Sequence, residues 1–233
     1  MSLLKPLALA SAAALCLALS SLSSVHAAEA AVAVPAPAGK ALLVSTAPSE
    51  SVVLAGGCFW GVQGVFQHTQ GVLRAVSGYA GGKPDSATYS MVSSGSTGHA
   101  ESVQVTYDPR KISFGQILQI YFSVAHDPTQ LNRQGPDHGT QYRSAIFTAG
   151  EQQKQAADAY IAQINAAHVF SSPIVTQVTP LQAFYAAEDY HQDYATLHPN
   201  QPYIAYNDLP KIANLQKMYP AIYRADPVLV FKH

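Results

Sequence analysis

The stretch Ser51-Val52-Val53-Leu54-Ala55-Gly56-Gly57-Cys58-Phe59-Trp60-Gly61 constrains the chain more than any other part of it. Its first half is short and apolar, the composition of a strand, and it ends on glycine. Val62, Val65 and Phe66 then fall at helical spacing. Cys58 is thus placed where a strand gives way to a helix, beside the helix N-terminus. The unpaired N–H groups and the dipole at such an end favour an anion, so a thiol there can become a thiolate. The alternative is an inert core cysteine, since free Cys is among the most buried residue types. The flanking glycines, the aromatic pair and the helix start weigh toward the reactive reading.

The chain has 233 residues, enough for one domain with a sizeable core or a small two-domain protein. Its formal charge of −1, with 12% charged residues, argues against nucleic acid or a charged membrane surface as a partner. Residues 1–27 read as a signal peptide. Lys5 supplies a thin positive region, residues 7–19 are rich in Leu and Ala but too short for an ordinary membrane span, and Val25-His26-Ala27 offers a cleavage site. A retained anchor is the alternative. Cys16 lies in the apolar part behind Leu15, which does not suit lipid attachment. Cleavage leaves Cys58 as the one cysteine of an exported, periplasmic protein, with no internal disulfide and no stable membrane insertion. Residues 28–50, rich in Ala, Pro and Val with little charge, read as a linker or disordered arm.

The globular domain is expected over 51–233, as α+β: one mixed sheet with helices packed on it, a two-layer, ferredoxin-like α/β sandwich with a long irregular C-terminal coil. Strands are predicted over 51–56, 72–78, 101–107, 142–148 and 173–178. Helices are predicted after Cys58, after Ser113 as N-cap, over 151–168, over 184–194 and over 209–218. Two long polar loops, 86–99 and 129–141, have the length that functional loops have.

Thirteen tyrosines stand against one tryptophan, so phenolic hydroxyls are plentiful. A Cys–His hydrolase would need a base near the thiol, but His68, His99, His126, His138 and His191 have no diagnostic spacing to Cys58. The histidines are scattered and form no metal-ligand cluster. More specific is one thiol combined with a carboxylate at a strand mouth, Glu101, and loop tyrosines, Tyr89 and Tyr142. The plain reading of those three is a surface acid and edge packing.

Gly57-Cys58-Phe59-Trp60-Gly61 resembles the active-site motif of the A-class peptide methionine sulfoxide reductases. The match continues through Gly78-Tyr79-Ala80-Gly81-Gly82, Tyr89, Gly98-His99-Ala100-Glu101, Val103 to Pro109, His126-Asp127-Pro128-Thr129, Asp137-His138-Gly139-Thr140-Gln141-Tyr142-Arg143-Ser144 and Ala187-Glu188-Asp189-Tyr190-His191-Gln192-Asp193-Tyr194, covering residues 51–223. The resemblance implies reduction of the S epimer of methionine sulfoxide, free or in oxidised proteins. It makes Cys58 the nucleophile, Glu101 the acid and Tyr89 and Tyr142 donors to the oxygen. Phe59 and Trp60 would hold the S-methyl group, and Asp137, with His138 beside it, would bind the substrate. Cys58 would end as a sulfenic acid. Many members carry resolving cysteines near the C-terminus; residues 196–233 hold none. The resemblance therefore implies no cofactor beyond an external thiol, thioredoxin-like or a small dithiol, and a monomer is expected. A one-cysteine thiol peroxidase and a non-catalytic module binding methionine-rich segments are the competing readings.

Overall fold

The computed structural model describes residues 30–232. The signal-peptide reading of 1–27, with its cleavage site and Cys16, lies outside the described residues. In chain order the structure runs β1 (Glu50–Ala55), α1 (Phe59–Gln67), β2 (Val72–Ala80), α2 (Tyr89–Val92), β3 (Ala100–Tyr107), α3 (Phe114–Ile120), β4 (Arg133–Gln134), β5 (Asp137–His138), β6 (Ala145–Thr148), α4 (Glu151–Ala166), β7 (Gln177–Pro180), β8 (Phe184–Ala186), α5 (Tyr194–Leu197) and α6 (Leu209–Met218).

The main sheet has the order β7-β6-β1-β3-β2-β8. Its pairings are antiparallel except β6–β7, which is parallel. The four central strands, β6-β1-β3-β2, with α1 between β1 and β2 and α3 between β3 and β6, form the split βαβ arrangement of the ferredoxin-like sandwich. The α+β expectation holds, and this topology explains why residues 51–56 are an unbroken apolar run. Val52 and Leu54 face the main core beneath the helices, while Val53 and Ala55 join a second cluster on the other side of the sheet. A central strand covered on both faces has no polar face to show.

Ser113 caps α3 as expected, in a reciprocal capping box with Gln116. Elsewhere the structure corrects the sequence reading. The helix predicted over 184–194 is instead β8, a 3₁₀ turn over Asp189–His191, and α5. The apolar spacing there looked helical, but β2 offers an open edge, and Gly78 makes room for β8 because a Cβ on it would strike the Tyr185 carbonyl. β6 begins three residues later than predicted, and Tyr142 closes a 3₁₀ turn instead (Thr140–Tyr142). The two polar loops carry α2 and the β4–β5 hairpin.

From residue 30 on, the expected linker is docked. Val34 and Ala41 are buried. Tyr160 Oη donates to the Pro35 carbonyl (2.7 Å), Gln163 Nε2 to the Ala36 carbonyl (2.7 Å) and Gln119 Nε2 to the Val34 carbonyl (3.3 Å). An arm without apolar periodicity is held through its own backbone oxygens, which composition does not reveal.

Candidate active site

Cys58 precedes α1 as its N-cap residue. The turn that delivers it depends on its glycines. Gly57 takes φ +87°, and a Cβ there would lie 2.5 Å from Gln134 Cγ. Gln134 is itself fixed, since it accepts from Asp127 N and donates to Asp127 O, both at 3.0 Å. A Cβ on Gly61, in the first turn of α1, would collide with Asp208 Oδ1. Both glycines beside the thiol are therefore close approaches of other elements to the backbone.

Glu101 enters from β3, where it pairs with Tyr79 of β2. It is 3% exposed, and its Oε2 accepts a hydrogen bond from Phe59 N at 3.1 Å, a donor at the N-terminus of α1. Burial pushes its carboxyl up to about 8; the Phe59 N–H pulls the other way, and Asp137 and Asp208 add to the rise. Glu101 is therefore a neutral acid at neutral pH. The Cys58 thiol is also pushed up, first by burial and next by Asp208 and Glu101, against a pull down from the Trp60 backbone N–H. The resting group is a thiol: desolvation and neighbouring carboxylates outweigh the helix end that suggested a thiolate.

Cys58, Phe59, Trp60, Tyr89, Glu101, Asp137, Tyr142, Gln201 and Tyr203 line one pocket of about 230 Å³. Larger cavities of about 400 and 540 Å³ lie at the C-terminal and N-terminal ends of α4, away from the thiol, so size alone does not mark the site. Trp60 stacks flat on Tyr194, with centroids 3.9 Å apart and planes at 10°, and meets the edge of Tyr203. This fixes the indole as an apolar wall. Burial raises the phenols of Tyr89 and Tyr142, with Glu101 next in effect, so both remain O–H donors. Burial likewise raises Asp137, while the hydrogen bond from Tyr203 Oη to Asp137 Oδ2 lowers it.

Of the residues singled out in the sequence, the structure brings Cys58, Glu101, Tyr89, Tyr142, Phe59, Trp60 and Asp137 together. His138 is exposed and does not line the pocket. On a strand its side chain takes the face opposite to that of Asp137. Gln201, Tyr203 and Asp208 were not anticipated, because they come from a Pro-containing stretch that reads as coil. Their one local signal was Asp208-Leu209-Pro210, an acid and a proline at a helix start. Three histidines have structural partners. His99 accepts from Gly82 N and contacts the Lys83 carbonyl, His68 contacts the Arg224 carbonyl, and His126, pushed down to about 3 by burial, bonds Ser144 Oγ and the Tyr121 carbonyl. Among the described residues no group of three His, Cys, Asp or Glu is arranged to hold a metal ion.

A neutral thiol, a neutral acid, two phenol donors and an apolar wall around one small space suit transfer of oxygen from a soft, methyl-bearing centre. Comparison with known proteins agrees. The family model described as peptide methionine sulfoxide reductase matches residues 50–222. The chain belongs to that family. It is 61% identical over 182 residues to a peptide methionine sulfoxide reductase of Mesorhizobium japonicum, covering 78% of this chain and 93% of the relative. It is 49% identical to one from Synechocystis, over 73% of this chain and 80% of the relative. The solved methionine sulfoxide reductase A of Corynebacterium diphtheriae superposes with a TM-score of 0.58 at 40% identity, over 66% of this chain and 77% of the other. The chain is thus an oxidoreductase acting on methionine sulfoxide. Membership in the reductase family displaces the peroxidase and binding-module readings.

Proposed function

We propose that this pocket reduces the S epimer of methionine sulfoxide, free or in oxidised exported proteins. The observation that carries the reading is the shared end of α1, where the thiol of Cys58 and the protonated carboxyl of Glu101 face one cavity. The S-methyl group lies against Phe59 and Trp60. The sulfoxide oxygen points to Glu101, Tyr89 and Tyr142, and Asp137, held by Tyr203, orients the rest of the residue.

Protonation of the oxygen by Glu101 makes the sulfur electrophilic. Cys58 attacks that sulfur as its own proton passes to the Glu101 carboxylate, so neither acid is left charged in the buried site. The phenols stabilise the oxygen while its charge changes. The S–S bond formed in that attack then breaks: the hydroxyl leaves the substrate sulfur, the Cys58 sulfur takes up hydroxyl, and the S–S electron pair stays with the substrate, so the sulfoxide gains two electrons and becomes methionine while Cys58 loses two and becomes a sulfenic acid.

Cys58 is the free cysteine among the described residues, and no other lies between it and residue 233. Its sulfenic acid is therefore cleared by an external thiol, a thioredoxin-like protein or a small dithiol. No helix among the described residues is long and apolar enough to cross a membrane. The charge and apolar pattern of residues 1–27 supports export to the periplasm. Turnover of each sulfoxide epimer by the exported protein, with mass spectrometry of Cys58 after one turnover without reductant, tests the function. Use of the S epimer alone, with one oxygen gained on Cys58, is expected. Equal use of both epimers, or an unmodified Cys58, overturns it.

A further inference from the structure

Three acidic groups crowd the N-terminal turn of α1. Glu101 Oε2 takes the Phe59 N–H at 3.1 Å. Cys58 is the N-cap residue, and the backbone N–H of Trp60 pulls its thiol downward. Asp208, fully buried and 147 residues further along the chain than Gly61, presses Oδ1 onto Gly61 closely enough that any side chain there would collide. Lys211 Nζ lies 3.8 Å from that oxygen and is also buried, with its Cδ 3.2 Å from where a Gly61 Cβ would stand. A helix end carries only about half a positive charge, so three neighbouring acids cannot all ionise there at no cost.

We propose that Asp208, counterbalanced by Lys211, is a positioning residue that sets the pH at which Cys58 ionises. Its carboxylate holds negative charge against the first turn of α1, which keeps the thiol protonated until substrate draws the proton away. A resting thiol in this form is shielded from stray oxidants, because the thiolate is the reactive species. The other titratable groups around Cys58 are Glu101 of β3, Asp137 of β5, Tyr89 of α2, Tyr142 and Tyr203. Asp208 stands ahead of both Glu101 and Asp137 among the carboxylates raising the thiol. The proposal rests on Cys58 being the reacting thiol, but its test does not use sulfoxide reduction, so the two readings can fail separately.

The test is the pH profile of iodoacetamide alkylation at Cys58 in the full chain, followed on the Cys58 peptide by mass spectrometry. Asp208→Asn, which keeps the shape and removes the charge, should move the midpoint down by about one pH unit, or about tenfold faster alkylation at a given pH below it. Lys211→Arg, which keeps the counter-charge beside Asp208, should leave it in place. An unchanged midpoint in folded Asp208→Asn overturns the proposal. Should that variant not fold, Asp208→Ser decides: a downward shift supports the proposal, and a midpoint that stays in place or rises overturns it.

Discussion

Tyr203 donates its phenol hydroxyl to the Asp137 carboxylate and so ties the C-terminal segment to the β4–β5 hairpin across 66 residues of chain. Both residues line the pocket, so the bond holds two of its walls in register. Tyr203→Phe leaves a half-buried carboxylate without that donor, a loss of about 1–3 kcal/mol. The effect should appear mainly as a KM raised about tenfold, with kcat changed less, because the proposed mechanism gives Asp137 the task of holding substrate and leaves the chemistry to Cys58 and Glu101. Steady-state kinetics on a sulfoxide-containing peptide check this; a loss confined to kcat would place Tyr203 in the chemical step instead.

In the proposed mechanism Glu101 must be protonated to donate. With its carboxyl raised to about 8, the single-turnover rate should be level in the acid range and fall as pH rises through about 8. Glu101→Gln should slow that step by roughly 10²- to 10⁴-fold, the usual worth of a general acid, with substrate affinity little altered. Rapid-quench measurement of the first turnover, across pH, gives both numbers.

The same raised carboxyl affects stability. Its value is about 8 folded against 4.5 for an ordinary Glu, so the folded protein binds this proton more tightly than the unfolded chain does. Stability from this group is then fully present below about 4.5 and is lost as pH rises toward 8, by up to ~5 kcal/mol. Glu101→Gln keeps the acceptor for Phe59 N and has no proton to lose. Urea midpoints at pH 5 and pH 8 should therefore fall less in the variant than in the parent protein; equal falls would mean that Glu101 is not the group responsible.

Much of this was legible because chemistry and fold share residues. The apolar run of β1 and the helical spacing after Cys58 place the thiol correctly, and the alternating residues of β3 place Glu101 at its strand mouth. What stayed hidden depends on contacts that spacing does not encode. Tyr203 and Asp208 belong to a stretch without a clean period and matter only because the tail folds back over α1. His138 sits beside a pocket residue in sequence yet faces away from the pocket. The residue 30–43 arm has the composition of a linker, but α3 and α4 supply side-chain donors to its carbonyls.

That arm gives the last prediction. Gly115 of α3 is its contact point: a Cβ there would lie 2.5 Å from the Ala41 carbonyl oxygen and 2.7 Å from Pro37 Cβ. The obstacle on one side is backbone, which cannot rotate away as a long side chain would. Gly115→Ala gains helix propensity of about 1 kcal/mol, but it lifts the arm and strains the donors from Gln119, Tyr160 and Gln163, each worth about 1 kcal/mol. It also exposes Ala41 and Val34, which are now buried. A net loss of about 1–3 kcal/mol is expected, with faster protease cleavage in the 30–48 segment. The pocket draws no lining residue from the arm, so activity per folded molecule should hold. Urea unfolding, limited proteolysis and activity of the same preparation check the three statements, and an arm cleaved no faster than in the parent would show that Gly115 is not what seats it.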